Sequence, residues 1–480
     1  MQPGGNRKNA PTVSQRNPAM NSAVNIPRIV IAATASGSGK TTTTVALLGA
    51  LRARGLRVVA FKCGPDYLDP TYHARVLGKP SQNLDGWMMG RDAVLATFAR
   101  SAAGADIAVI EGMMGLFDGA TPDRDEGSTA EIAKWLSAPV VLVHDASGVA
   151  RTISAIAHGF AQFDPELRLG GLICNRVGSK GHLDLLTQSR PAVRVLGGFP
   201  SNPALAFPER HLGLIGATRE VFPERMIDEW TRAAEEWLNL DGIIELARSS
   251  PPLAVPSPPN TVAAAAAGCR IAIAYDDAFH FYYEDNLRRL EELGAQLIRF
   301  APTRDRALPE ADGLYFGGGY PEVMARELSS NSSMLQGIRR FAADGHPIYA
   351  ECGGLMYLSE GIRTLDGARW PMLALLPGVA AMAERLQALG YVEVETCAPT
   401  ILGPAGLHFR GHQFRYSTLE ATGGQLRADP AYTVAPKWGA SFQEGFARGN
   451  VLGSYVHAHW ASNPAVPQGF VRSCRASLKP

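Results

Sequence analysis

Residues 29–41 read Ile-Val-Ile-Ala-Ala-Thr-Ala-Ser-Gly-Ser-Gly-Lys-Thr: an apolar run, a Gly/Ser turn, and a Lys-Thr pair that opens a helical stretch. Such a strand–turn–helix brings backbone N–H groups close to a polyphosphate, and the helix N-terminus adds partial positive charge. In this reading Ser36, Gly37, Ser38, Gly39, Lys40, Thr41 and Thr42 bind ATP, with Lys40 on the β- and γ-phosphates and the Thr41 hydroxyl on Mg²⁺. The strict phosphate-loop pattern has glycine at position 34, where this chain carries Thr34.

Outward from this loop, short apolar runs alternate with helical stretches, which predicts a parallel sheet covered by helices. The strand candidates are Arg28–Ala33, Arg57–Phe61, Ile107–Ile110, Val140–Val143, Gly171–Cys174 and Val193–Leu196. Carboxylates follow several of them, at the strand ends where open α/β sheets bind ligands. Residues 62–70 (KCGPDYLDP) carry Asp66 and Asp69, and residues 111–119 (EGMMGLFDG) carry Glu111 and Asp118. Asp66 and Glu111 join Thr41 as expected metal-side groups, while Asp69 and Asp118 are expected on the substrate side; the alternative for each is a turn cap. Asn175 follows another strand and either reads the nucleobase edge or caps a helix.

The chain has 480 residues, 46% hydrophobic and 19% charged, which suits two globular domains. A formal net charge of +1 gives no electrostatic reason for a nucleic-acid or anionic-membrane partner. The six cysteines are scattered without paired metal-site spacing, which fits a reducing cytoplasm. No apolar run is long enough for a membrane span. Residues 1–26, rich in Asn, Pro, Ser and Gln, read as a disordered tail, and residues 27–248 as the ATP-dependent domain. Residues 249–268, SSPPLAVPSPPNTVAAAAAG, read as a linker, after which a second α/β pattern occupies residues 269–480.

In that second half Pro347-Ile-Tyr-Ala-Glu-Cys-Gly-Gly-Leu355 has the form strand, nucleophile, glycines, helix. A sharp strand-to-helix turn lifts Cys352 into an open cleft at a helix N-terminus, which favours the thiolate. The loop Phe316-Gly-Gly-Gly-Tyr-Pro-Glu322 offers N–H groups near Gly318 and Gly319 which, with that of Gly353, would stabilise a tetrahedral oxyanion. Residues 453–460 (GSYVHAHW) supply His457 and His459 at a strand end; two residues apart, they share one face of a strand. A turn cysteine, a glycine-rich oxyanion loop and a late histidine together point to acyl chemistry through a covalent intermediate.

Taken together, TASGSGKTTTT, KCGPDYLDP, EGMMGLFDG, FPERHLGL (207–214), FGGGYPE, AECGGL, RGHQFRYS (410–417) and GSYVHAHW resemble the cobyrinic and hydrogenobyrinic acid a,c-diamide synthases, from about Arg28 to Trp460. The resemblance implies a dethiobiotin-synthetase-like P-loop domain followed by a class I glutamine amidotransferase domain of flavodoxin-like fold. It implies glutamine- and ATP-dependent amidation of the a- and c-acetate carboxylates of a corrinoid, through an acyl phosphate. A cobyric acid synthase, which amidates other corrin carboxylates, is the alternative with both halves.

By motif position Cys352 is the glutaminase nucleophile and His457 its base. His459 stands where many related amidotransferases carry Glu, so either it orients His457 or the third member lies elsewhere. Gln413 likewise departs from an expected Glu. Tyr67 and Leu68 offer surface for a macrocycle edge, and Arg210 and His211 for peripheral carboxylates. The partners implied are a corrinoid, L-glutamine and ATP; a homodimer is compatible with the sequence.

Overall fold

The computed structural model describes residues 22–207, 217, 220–256, 268–421 and 430–477. The first domain is built on a six-stranded, all-parallel sheet in the order Gln82–Leu84, Val58–Cys63, Ile107–Glu111, Arg28–Ala33, Val140–Asp145, Leu169–Asn175. Every residue of Arg28–Ala33 is buried, as a central parallel strand requires when helices cover both faces. The phosphate-loop helix Lys40–Ala53 and the helix Glu224–Trp237 pack on one face, where Trp230 meets Phe222 and Phe207 edge-on. Successive strands pair on either side of Arg28–Ala33, so the strand order reverses there and a crevice opens beyond the carboxyl ends.

Five of the expected first-domain strands form within two residues of their anticipated bounds. Val193–Leu196 forms no strand and contributes only an isolated bridge between Leu172 and Val195. Parts of the anticipated tail and linker are also ordered: Ser22–Val24 pairs antiparallel with Leu253–Val255. Buried Arg28 ties the two stretches together, donating to Ile26 O (2.9 Å) and Pro251 O (2.7 Å), while Ser250 Oγ donates to Arg28 O (2.9 Å). Proline removes N–H donors but leaves carbonyls, and it is these that the guanidinium collects.

The second domain carries a ten-stranded sheet. Five strands are parallel: Ala295–Phe300, Cys269–Ala274, Gly313–Phe316, Ile348–Glu351 and Val451–Ser454. The sheet continues antiparallel through Phe442–Arg448, Pro430–Pro436, Ala388–Thr396, His408–Arg415 and His457–His459. Val451–Ser454 and His457–His459 follow one another in the chain but hold the fifth and tenth places in the sheet. The antiparallel half therefore curls back on itself and returns the histidines to the end of the cysteine-bearing strand. A small four-stranded sheet flanks this region. No helix of the described residues is long and apolar enough to cross a membrane.

The domains meet through an apolar cluster of Trp87, Met88, Tyr283 and Tyr391, with Tyr67 and Ala120 packed against it. Trp87 stacks on Tyr391 with centroids 4.7 Å apart, and Arg410 lies over Trp87 at 4.8 Å while donating to its carbonyl at 2.9 Å. Thr97 and Arg100 each donate to Asp285 Oδ1 at 3.2 Å. Tyr391 Oη donates to buried Asp85 Oδ2 at 2.8 Å, and burial pushes this carboxyl up to about 6 despite the bond. A carboxyl with a folded pKa above its unfolded value loses the fold stability as pH rises between the two. Asp85→Asn is therefore expected to gain stability relative to the parent chain as pH rises from about 4 to about 7, on the order of 2–3 kcal/mol. Thermal midpoints of both proteins across that range check this; a difference that does not change with pH contradicts it.

Candidate active site

The phosphate loop is held from behind. Gly37 and Gly39 take φ of +78° and +96°, and a Cβ on Gly39 would lie 2.0 Å from Asn175 Nδ2. Asn175 Nδ2 donates to Ser38 O at 2.9 Å and Arg176 Nη2 to Gly37 O at 3.0 Å, which turns these carbonyls from the crevice. Asn175 thus braces the loop through its Nδ2. Thr34, at the strict motif's first glycine position, bonds His144 Nδ1 through its hydroxyl at 2.9 Å. Ser38 Oγ closes the turn on Ala35 O at 2.9 Å, Ser36 is exposed and Thr42 is half-buried. Lys40 donates to Met114 O; burial, and then the charge of Lys62, lower its pKa.

Beside the loop lies an ion cluster in which Asp66, Asp69 and Glu111, all expected from the sequence, gather on Lys62, which was not. Lys62 Nζ contacts Asp69 Oδ2 (2.6 Å), Glu111 Oε1 (3.1 Å) and Gly112 O (2.9 Å), with Asp66 Oδ2 at 3.7 Å. Burial alone would depress this ammonium, but Asp69, Glu111 and Asp66 outweigh it and hold the pKa well above the usual lysine value. Burial opposes ionisation of Asp69 too, yet Lys62 holds it well below the carboxylate range. Burial and the Asp69 charge push Asp66 up to about 6. Asp66 Oδ1 also accepts the N–H groups of Leu68 and Asp69, at 2.7 and 3.1 Å. Thr41 Oγ1 donates to Glu111 Oε1 (2.7 Å) and lies 3.3 Å from Asp69 Oδ2. His73 Nε2 holds the other Glu111 oxygen at 2.7 Å, and Ser81 holds His73. Asp118 Oδ2 accepts Gly115 N–H at 2.8 Å, closing the turn that presents Met114 O to Lys40.

In the second domain Cys352 has φ +49° and ψ −104° between Ile348–Glu351 and the helix Gly353–Leu358. A positive φ on a side chain with a Cβ costs on the order of 1–3 kcal/mol and marks the strained turn that lifts a nucleophile. The glycines permit close approach: a Cβ on Gly354 would meet Phe316 O at 2.5 Å, and one on Gly353 would meet Pro321 at 2.9 Å and Gly319 N at 3.1 Å. Of the three amides expected to receive an oxyanion, that of Gly318 already donates to Phe281 O (3.3 Å). Gly318 matters for space, since its Cβ would sit 2.4 Å from His457 Cε1. Burial, and then Glu322, push the Cys352 thiol up to about 12.

His457 is pushed down to about 3 by burial, and its Nδ1 has no partner among the described residues. Packing sets its ring instead: His412 stacks at 4.9 Å with 15° between planes, and Tyr67 lies 5.2 Å away. Tyr67 comes from the first domain and stacks on Phe281 (5.1 Å, 6°) and against Tyr283 (4.7 Å). Its ring face is therefore occupied by second-domain aromatics, and Leu68 is buried. The strand His457–His459 is pinned by Asn286, which bonds Ala458 O and Trp460 N–H at 2.8 Å each, and by Glu351, which accepts Ala458 N–H at 3.1 Å. His459 makes no bond to His457; it packs on Tyr283 at 4.6 Å and accepts Ala461 N–H at 3.3 Å. Arg210 and His211 lie outside the described residues.

Both centres open into one cavity of about 1260 Å³, lined at one end by Gly37, Lys40 and Thr41 and at the other by Cys352 and His457. The CobQ/CobB/MinD/ParA nucleotide-binding domain family matches residues 29–214, and the CobB/CobQ-like glutamine amidotransferase domain family matches residues 270–465. The cobyrinate a,c-diamide synthase of Leptospira interrogans is 50% identical over 94% of this chain and 99% of its own length. Those of Syntrophotalea carbinolica and Dehalococcoides mccartyi are 46% and 43% identical over 94% of the chain. The chain belongs to the cobyrinate a,c-diamide synthase family.

It is thus an ATP-dependent, glutamine-using amide synthase, with a nucleotide-binding domain ahead of its amidotransferase domain. Lys62, His412, Glu322 and Arg415 line the cavity from within the quoted motifs, though the sequence reading gave none of them a role, and Tyr283 packs in the apolar cluster between the domains. The register offered one signal: Lys62 and Glu111 are direct partners on adjacent strands, where opposite charges attract. Gly318→Ala is expected to displace His457 and cut glutamate release on the order of 100-fold, since such misplacements carry that penalty. Nucleotide affinity measured on the same variant stays at the parent value.

Proposed function

We propose that this chain amidates the a- and c-acetate carboxylates of cobyrinic or hydrogenobyrinic acid; its relatives are named cobyrinate a,c-diamide synthases. The carrying observation is the single cavity that joins the phosphate loop to the thiol, in a chain aligned with those relatives over nearly their whole length. A carboxylate is a poor acyl donor. Phosphorylation by ATP makes it one, with Lys40 and the loop amides neutralising charge as the γ-phosphoryl moves. Thr41, Glu111 and Asp66 present oxygen donors alone, which suits Mg²⁺ held partly by phosphates and water; the ion would supply further charge neutralisation. Asp69 and Asp118 lie on the acceptor side, with Tyr67 and Leu68 as the edge that limits how far a corrinoid enters.

Cys352 attacks the glutamine side-chain amide, His457 takes up the thiol proton and delivers it to the departing ammonia, and the Gly319 and Gly353 amides receive the oxyanion. Burial keeps His457 neutral at working pH, the form a base needs. Water then hydrolyses the thioester to glutamate. Ammonia crossing the shared cavity avoids the protonation it would undergo in bulk water. We assign the reaction to the cytoplasm, on its ATP requirement and on six free cysteines.

Cys352→Ala is expected to abolish glutamine-dependent synthesis and to retain synthesis from added ammonium salts. Product mass after incubation with cobyrinic or hydrogenobyrinic acid is expected to report two amidations. Four amidations, or none with either corrinoid, overturn the proposal, and residual glutaminase activity in the variant removes Cys352 as nucleophile.

A further inference from the structure

Two charged side chains at the thiol end of the cavity have no counter-ion within 4 Å among the described residues: Glu322 and Arg415. Glu322 follows Pro321, which abuts the nucleophile turn at Gly353. Its carboxylate lies near enough to raise the Cys352 thiol, and burial pushes Glu322 itself up to about 7. Arg415 ends the strand His408–Arg415. It follows Phe414, whose carbonyl is 4.0 Å from Cys352 Sγ. Its guanidinium lies 4.6 Å over the Tyr455 ring and donates to Ser417 O, and its Nε is buried without a partner. Glu444 feels the charge of Arg415 but is occupied by Ser454 Oγ (2.5 Å) and Tyr455 N–H (2.7 Å).

Half-buried charges without partners are costly to keep in a fold, so a pair of opposite sign in one pocket calls for a ligand that carries both signs. An α-amino acid does. We infer that Glu322 binds the α-ammonium and Arg415 the α-carboxylate of the glutamine whose side-chain amide Cys352 attacks. This deepens the glutaminase reading of Cys352 and rests on it. Arg415 offers its planar fork to a carboxylate, and Glu322 offers an acceptor to an ammonium.

The test compares glutamate release from glutamine with hydrolysis of two truncated amides: glutaramate, which lacks the α-amino group, and γ-aminobutyramide, which lacks the α-carboxylate. The parent enzyme is expected to favour glutamine over each by at least about 100-fold in kcat/KM, because each amide strands one buried charge. Glu322→Gln is expected to lose about 10–100-fold with glutamine. It loses little further with glutaramate, yet keeps its discrimination against γ-aminobutyramide. Arg415→Met mirrors this, and Arg415→Lys restores part of the loss. A variant that merely folds badly lowers all three substrates alike and leaves the ratios at their parent values. Unchanged ratios in Glu322→Gln and Arg415→Met overturn the inference, while a parent enzyme that releases no glutamate overturns the glutaminase reading itself.

Discussion

The buried ammonium of Lys62 sets the geometry on which both reaction centres rely. Its three carboxylate neighbours would repel one another without it, and together they fix the short loop from Lys62 to Asp69. One end of that loop stands beside Thr41 and the phosphate-binding amides. The other sends Tyr67 between Phe281, Tyr283 and His457 in the second domain. Removing a single partner from such a cluster leaves an uncompensated buried charge, which costs several kcal/mol. The cluster is therefore a structural requirement of the site as much as a chemical one.

Cys352 and His457 rest in their uncharged forms for one physical reason. Burial raises the thiol to about 12 and lowers the imidazole to about 3. Neither desolvated ion is favourable alone, so the proton moves only when substrate brings compensating dipoles or charge into the pocket. A pocket of this kind protects the thiol from stray electrophiles and limits idle hydrolysis of water-borne amides. Among the described residues no carboxylate bonds His457; burial keeps its ring neutral and stacking on His412 holds it.

How much of this was legible in the sequence follows from how local each feature is. The phosphate loop and the nucleophile turn were readable because positive φ and missing side chains are demanded within a few residues, at Gly37, Gly39 and around Cys352. The P-loop and amidotransferase halves followed from the same motifs. His457 and His459 lie along one aromatic wall, as their spacing on a strand requires, but no hydrogen bond makes His459 an orienting partner. Tyr67 read as open surface because its neighbours are more than two hundred residues away in sequence. Lys62 drew no role from the sequence because only the pairing with Glu111 reveals its burial. The ordered stretches in the anticipated tail and linker escaped because a three-residue strand pairing has no periodicity to detect.

The curl of the second sheet has a mechanical consequence. Cys352 N–H bonds Ser454 O at 2.7 Å, and the chain runs on from Ser454 to His457 with only Tyr455 and Val456 between. Cys352 and His457 are thus carried on one continuous hydrogen-bonded frame, braced by Glu351 and Asn286. Tyr67 belongs to the other domain. Any hinge motion that admits a bulky acceptor between the domains would withdraw that ring from His457 while leaving the Cys–His frame undistorted. Breathing of the cleft would then change the surroundings of His457 without separating it from Cys352.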